Sequence, residues 1–127
     1  MSRSRYRPTT TFLRRLGLDF GGVEREDLFR IDLNAALGVI GLELVTAGSR
    51  GRVRAKASEI FRGALSIKAA EVVLVHFHPS GSLFPSGADR AMTERLRLCG
   101  QLLGVPLHDH LIIAGDAAYS FKDSGFL

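Results

Sequence analysis

His76 and His78, one residue apart and followed by Ser86 and Asp89, are the residues of this chain best placed to do chemistry. Two histidines at i and i+2 on a strand project to the same face, so their imidazoles can converge on one small cation. Pro79 stops such a strand directly after His78, which puts the pair at the rim of a sheet, open to a substrate. Asp89, one turn into the next helix, can fold back as a third, oxygen ligand. Two histidines and a carboxylate with an open fourth position form a catalytic zinc arrangement, because the open position holds a water whose pKa falls to about 7. Such a site also needs a base for the water's proton. The candidate is Glu43, the lone acid in the apolar stretch Val39–Thr46, where an unpaired carboxylate would be costly to bury.

Each of these residues also has a plainer reading. Ser86-x-x-Asp89 is an N-terminal capping pattern, with the serine accepting from the first turn and the acid favoured by the helix dipole. A single histidine on an apolar strand is commonly a satisfied core residue, and H-x-H alone occurs in many unrelated sites. His108-Asp109-His110 is a second H-x-H, inviting a second metal site or a Ser/His/Asp triad. Cys99 sits on an apolar helical stripe and reads as a small core residue. A zinc deaminase is excluded by the missing P-C-x-x-C, and nucleotide hydrolysis by the missing G-x-x-x-x-G-K-[ST] phosphate loop.

The elements that must position these residues follow from patterning. Leu28 to Asn34 alternates loosely and Val39 to Thr46 is short and β-branched, predicting two strands joined by a tight turn. Gly48 to Gly51 reads as a turn. Arg50, Arg52, Arg54 and Lys56 then recur at every second position, which in an extended segment lines four cations on one face. That strip is either a solvated edge that discourages strand pairing or a binding surface for an acidic partner. Ser58 to Ala70 predicts a helix with Ser58 as N-cap and Ile60, Phe61, Ala64, Leu65 and Ile67 on its apolar side. Glu71 to Phe77 is the near-continuous apolar run of a central strand buried on both faces. A second helix runs from Ser86 to Leu103, with Met92, Leu96, Cys99 and Leu103 on one face and Gly104 ending it. Val105 to Ala114 and Ala117 to Lys122 complete a mixed sheet with helices packed on it, an α/β or α+β arrangement.

The 127 residues suit one domain with an ordinary core, and a hydrophobic share of 46% with 24% charged residues excludes a disordered chain. A single cysteine excludes an intrachain disulfide and points to a reducing compartment, hence a cytoplasmic location. No segment reads as a membrane span or secretory signal. The net charge of +4 is unevenly placed. Arg3, Arg5, Arg7, Arg14 and Arg15 lie in the first fifteen residues without an acid, leaving the remainder with twelve basic and thirteen acidic groups. Residues 1–25 therefore read as a basic, partly ordered arm and 26–127 as the domain. The arm is either a solvated terminus or a contact for nucleic acid; a transit peptide is a third reading.

The spacing H-x-H-x₇-S-x₂-D from His76 to Asp89 resembles the signature of the JAMM (MPN+, JAB domain) metalloproteases. HFHPSG, the preceding SEIFRGALSIKAA, and LLGVPLHDHLIIAG with the following YSFKDSGFL are similar to the RadC-like branch of that family. The resemblance covers roughly residues 26–127. It implies a JAB/MPN, cytidine-deaminase-like α/β fold, one Zn²⁺ per chain, and hydrolysis of a peptide or isopeptide bond, with a ubiquitin-like modifier among the candidate substrates. It further implies His76, His78 and Asp89 as zinc ligands, Glu43 as general base and Ser86 as oxyanion stabiliser. The family pattern contains Asp-His at Asp109 and His110, which implies a role in orienting a zinc ligand or in the core. Phe77 stands where the branch commonly has asparagine; it should point away from the ligands and leave metal binding intact. Full-length members carry an N-terminal helix-hairpin-helix module with no counterpart here, so a catalytic domain standing alone is expected. A DNA repair or recombination accessory role, a homodimer and a metal-binding scaffold without turnover remain as alternatives.

Overall fold

The computed structural model describes residues 4–19, 27–46, 55–79 and 81–127. Their elements run α1 (Thr10–Arg15), β1 (Leu28–Leu33), β2 (Val39–Thr46), α2 (Ala57–Ser66), β3 (Glu71–Phe77), α3 (Gly87–Leu103), β4 (Leu107–Ala114) and β5 (Ala117–Ser120). The strands form one mixed sheet in the order β2-β1-β3-β4-β5. β1 pairs antiparallel with both β2 and β3, β3 pairs parallel with β4, and β5 returns antiparallel to β4. The parallel step requires a crossover, which α3 supplies. This is the expected α/β architecture with a mixed sheet and flanking helices.

β3 shows why a central strand reads as continuously apolar. Val72 and Leu74 pack towards α2 and α3 with Leu28, Ile60, Phe61, Met92 and Leu96. Val73, Val75 and Phe77 face the opposite core with Ile31, Leu111 and Ile113. Both sides of the strand are covered, so alternation disappears from its sequence. The Asn34–Gly38 connection of the β1–β2 hairpin closes as expected, with the Asn34 side-chain oxygen accepting from the amides of Ala36 and Gly38.

Several boundaries move. α2 starts at Ala57 with Lys56 as N-cap, because the Glu59 carboxylate accepts from the Lys56 amide at 3.2 Å; Ser58 lies inside the first turn. The helix stops at Ser66, since Lys68 takes a left-handed φ of 57°. Leu65 and Ile67, placed on the buried side by their spacing, are 45% and 44% exposed. β4 begins at Leu107, after Pro106, and β5 ends at Ser120. Of the cationic strip, Arg50, Arg52 and Arg54 lie outside the described residues, and Lys56 is exposed at the helix start.

Residues 4–19, assigned by their charge to a basic arm, contribute Tyr6, Phe12, Leu13 and Leu18 to the core on the face opposite α2 and α3. Main-chain bonds from the Tyr6 amide to Leu37 (2.8 Å) and from Val39 to Ser4 (2.9 Å) fasten the segment to the hairpin. The arginines are interleaved with these apolar positions and point outward, with Arg5, Arg7, Arg14 and Arg15 exposed. A charge count registers the arginines and misses the four residues that pack.

Candidate metal centre

The site forms where β3 ends and α3 begins, at the carboxyl edge of a parallel strand pair, where α/β sheets commonly bind ligands. His76 shares the sheet face of Leu74 and is 2% exposed. Past the end of β3, the His78 amide still bonds to Ile113 of β4 at 2.8 Å. Phe77 between them is buried in the opposite core against Phe29, as anticipated for a residue pointing away from the ligands.

α3 supplies the carboxylate. Ser86 caps the helix, its Oγ accepting from the Asp89 amide at 3.0 Å, while Asp89 Oδ2 accepts from the Ser86 amide at 2.8 Å. The same carboxylate lies between the histidines: Asp89 Oδ1 is 3.3 Å from His76 Nδ1 and Oδ2 is 3.2 Å from His78 Nε2. The cap and the approach to both histidines are made by one side chain at once, so the capping reading of Asp89 does not exclude the ligand one. Burial by itself would favour the neutral acid, but the His76 and His78 contacts and the Ser86 amide outweigh it and hold Asp89 well below the usual carboxylate range.

The chemistry of these donors suits a cation. His78 Nδ1 lies 2.8 Å from the Ser82 carbonyl, which only accepts, so Nδ1 carries a ring proton and Nε2 is the nitrogen turned towards Asp89. A carboxylate oxygen 3.2 Å from that nitrogen is stabilised by positive charge at the contact, carried by a second ring proton or by a metal ion that both atoms bind. Donors both about 2.0–2.1 Å from a tetrahedral zinc would stand roughly 3.3 Å apart, and each histidine is at about that separation from one Asp89 oxygen, His76 from Oδ1 and His78 from Oδ2. One ligand atom from each of His76, His78 and Asp89 lies within 4.8 Å of the others, and no other such group occurs among the described residues. The cluster can therefore hold a metal ion.

Glu43 is placed differently from the expectation of an unpaired buried acid. Its side chain is 52% exposed and its Oε1 accepts from Arg30 Nη1 at 2.7 Å. Arg30 is 2% exposed and also bonds both carboxylate oxygens of Asp32, at 2.6 and 3.0 Å, and the Ile60 carbonyl at 2.9 Å. Burial opposes the guanidinium's charge, but Asp32 and Glu43 raise its pKa above the ordinary arginine value. Glu43, Arg30 and Leu74 stand level across β2, β1 and β3, which puts Glu43 on the sheet face of His76. Strand spacing and rise separate their backbones by about 12 Å. A groove of about 460 Å³ opens beside Glu43, lined by Val45, Glu59, Arg62, Gly63 and Ser66. Sequence reasoning missed Arg30, although Arg30 and Asp32, two charges two apart in an apolar strand, were the available signal.

Asp109 and His110 part company. Asp109, 1% exposed, accepts from the Tyr6 hydroxyl (2.9 Å), the Ser120 hydroxyl (2.7 Å) and the Lys122 amide (3.1 Å); it ties the N-terminal segment to the sheet. Burial first, then Asp109, push the Tyr6 hydroxyl well above its ordinary pKa, so it stays a donor. His110 is fully buried, stacked on Phe121 with ring centroids 4.7 Å apart, and 6.0 Å from the His76 ring. Desolvation, then the neighbouring His76, lowers its pKa to about 3. His108 faces Glu71 at 3.3 Å and the edge of Tyr6, so the second H-x-H does not converge on one point.

The family model of the RadC-like JAB domain matches residues 8–126. The chain belongs to this family. The match takes in α1 as well as the domain expected from residue 26 onward. Among RadC-like relatives, a UPF0758 protein of Thermotoga maritima is 41% identical over 105 residues, covering 83% of this chain and 47% of the relative. The Escherichia coli UPF0758 proteins YfjY and YeeS are each 39% identical, covering 88% and 87% of this chain and 70% and 74% of their own lengths. The chain thus spans about half the length of the Thermotoga relative. Among the described residues, no helix is long and apolar enough to cross a membrane.

Proposed function

We propose that this RadC-like JAB domain is a zinc-dependent peptidase acting on a peptide or isopeptide bond of a protein substrate. The observation that carries the reading is the convergence of His76, His78 and Asp89 at the carboxyl end of β3. Zinc held by these three residues would polarise a carbonyl and bring the pKa of a water to about 7. His78 presents Nε2 because the Ser82 carbonyl fixes its tautomer, and Asp89 stays ionised because its helix cap and the two histidines hold it so. Ser86 Oγ accepts from the Asp89 amide, which leaves its hydroxyl proton available to a developing oxyanion. Glu43, on the same sheet face, takes a proton from the attacking water and returns it to the leaving amine, with Arg30 steadying the carboxylate between the two transfers. A ubiquitin-like modifier remains a candidate substrate, in a cytoplasmic setting, and a homodimer a candidate assembly.

Metal analysis of the purified protein beside His76→Ala and Asp89→Ala tests the site. One zinc per chain, lost in both variants, is expected; equal zinc in all three overturns the ligand assignment. Glu43→Gln should keep the zinc and abolish hydrolysis of a validated substrate, and a variant as fast as wild type removes Glu43 as base.

A second reading, a nucleic-acid accessory role, is favoured by one observation. Arg5, Arg7 and Arg15 are exposed on a segment that is itself packed into the core, so three cations are presented from a folded surface.

A further inference from the structure

Asp89 sits in the first turn of α3, while the histidines it must meet belong to β3 and the residue after it; something has to hold that turn against the sheet. Thr93, one helical turn beyond Asp89 and 3% exposed, reaches both ways. Its Oγ1 is 2.7 Å from the Asp89 carbonyl oxygen and 2.6 Å from His110 Nδ1. The carbonyl only accepts, so the single hydroxyl proton goes to it, and Oγ1 then accepts from His110, whose ring proton is fixed on Nδ1. His110 cannot drift: its ring lies flat against Phe121 at an interplanar angle of 8°, and its backbone is paired in β4. A continuous path thus runs from β4 through His110 and Thr93 to the backbone of Asp89.

We propose that Thr93 and His110 are positioning residues for the cation site, registering the first turn of α3 so that the Asp89 carboxylate meets His76 and His78. The proposal rests on the metal reading above and assigns to Thr93 a role beyond filling the core. Asp109, expected to share that role with His110, is turned to Tyr6 and Ser120 instead. A threonine bonding back to the carbonyl four residues earlier usually serves only its own helix; here the same oxygen also accepts a hydrogen bond from a different element. Partners that orient ligands in this way typically change metal affinity 10–100-fold when removed.

Thr93→Val tests this, because valine keeps the shape and loses both bonds. Zinc affinity, measured by competition with a fluorescent chelator, should weaken about 10–100-fold while the zinc-free circular dichroism stays that of wild type. Thr93→Ser, which restores the hydroxyl, should bind zinc close to the wild-type affinity. If the valine variant does not fold, Thr93→Ala is measured in its place. Wild-type affinity in a folded variant without the hydroxyl, or a serine variant as weak as the valine one, overturns the positioning role. Wild-type protein that takes up no zinc overturns the metal reading and this inference with it, and so separates the two failures.

Discussion

Arg30 and Glu43 face each other as cross-strand partners of β1 and β2, with 2.7 Å between Nη1 and Oε1. One member is buried and the other half exposed, so the pair is asymmetric in energy. Removing Glu43 leaves Arg30 its Asp32 and Ile60 partners, whereas removing Arg30 strands Asp32 in the core. Glu43→Gln should therefore cost under about 1 kcal/mol of stability and Arg30→Met about 3–5 kcal/mol. Urea unfolding of both variants checks the order; a larger loss for Glu43→Gln would refute it.

Gly63 lies flush against this pair. A Cβ there would stand 2.6 Å from Arg30 Nη2 and 2.9 Å from Glu43 Oε1, and the buried guanidinium has little room to give. Gly63→Ala should destabilise the domain by about 1–3 kcal/mol, despite the higher helix propensity of alanine, which alone would add stability. A thermal melt that rises for the variant would show that Arg30 can yield.

Acid should weaken the zinc-free protein in two stages. His110 has a folded pKa of about 3, against an ordinary 6.5. Its contribution is complete above 6.5 and is lost as pH falls towards 3, because the unfolded chain takes the proton first. The slope is about 1.4 kcal/mol per pH unit across the middle of that window. Asp89, held below its ordinary 3.8, stabilises above that value and loses its contribution as pH falls through the folded pKa. Denaturant midpoints from pH 8 to 4 should fall with a one-proton slope in wild type and stay flatter in His110→Asn. Parallel profiles would show that His110 is not the titrating group.

The Tyr6 hydroxyl is bonded to Asp109, at 2.9 Å and 103 residues away in sequence. Tyr6→Phe should cost about 1–3 kcal/mol by leaving part of a buried carboxylate unsatisfied. Since Asp109 faces away from the cation site, zinc affinity should not change. A large loss of zinc affinity in this variant would place the N-terminal segment within the site's support.

For nucleic acid, replacing Arg5, Arg7 and Arg15 together by Gln should weaken binding to a short DNA duplex and reduce the slope of log affinity against log salt by about three. Fluorescence anisotropy at several salt concentrations measures it, and an unchanged slope would dismiss these residues as phosphate contacts.

Much of the site was legible in sequence because its parts are local. Hydrophobic continuity announced β3, the bounds of β2 followed from its β-branched run, and Ser86 with Asp89 announced the start of α3 through a cap that involves only four consecutive residues. The spacing from His76 to Asp89 carried the family through its motif. Boundaries that depend on one side chain reaching back, such as Glu59 to the Lys56 amide, moved by a residue or more.

By itself, then, the sequence determined the donor set, the strand that presents it and the α/β class, since periodicity, caps and motif spacing are short-range properties of the chain. Only the tertiary structure decided what those donors lean on. Arg30 meets Glu43 across a hairpin, Thr93 meets His110 at a separation of 17 residues, and Tyr6 meets Asp109 at 103. A buried polar group must find its partner wherever the packed core leaves one, and nothing in the local pattern says where that is. For the same reason the N-terminal arginines dominated the charge count, while the apolar residues between them decided that the segment belongs to the core.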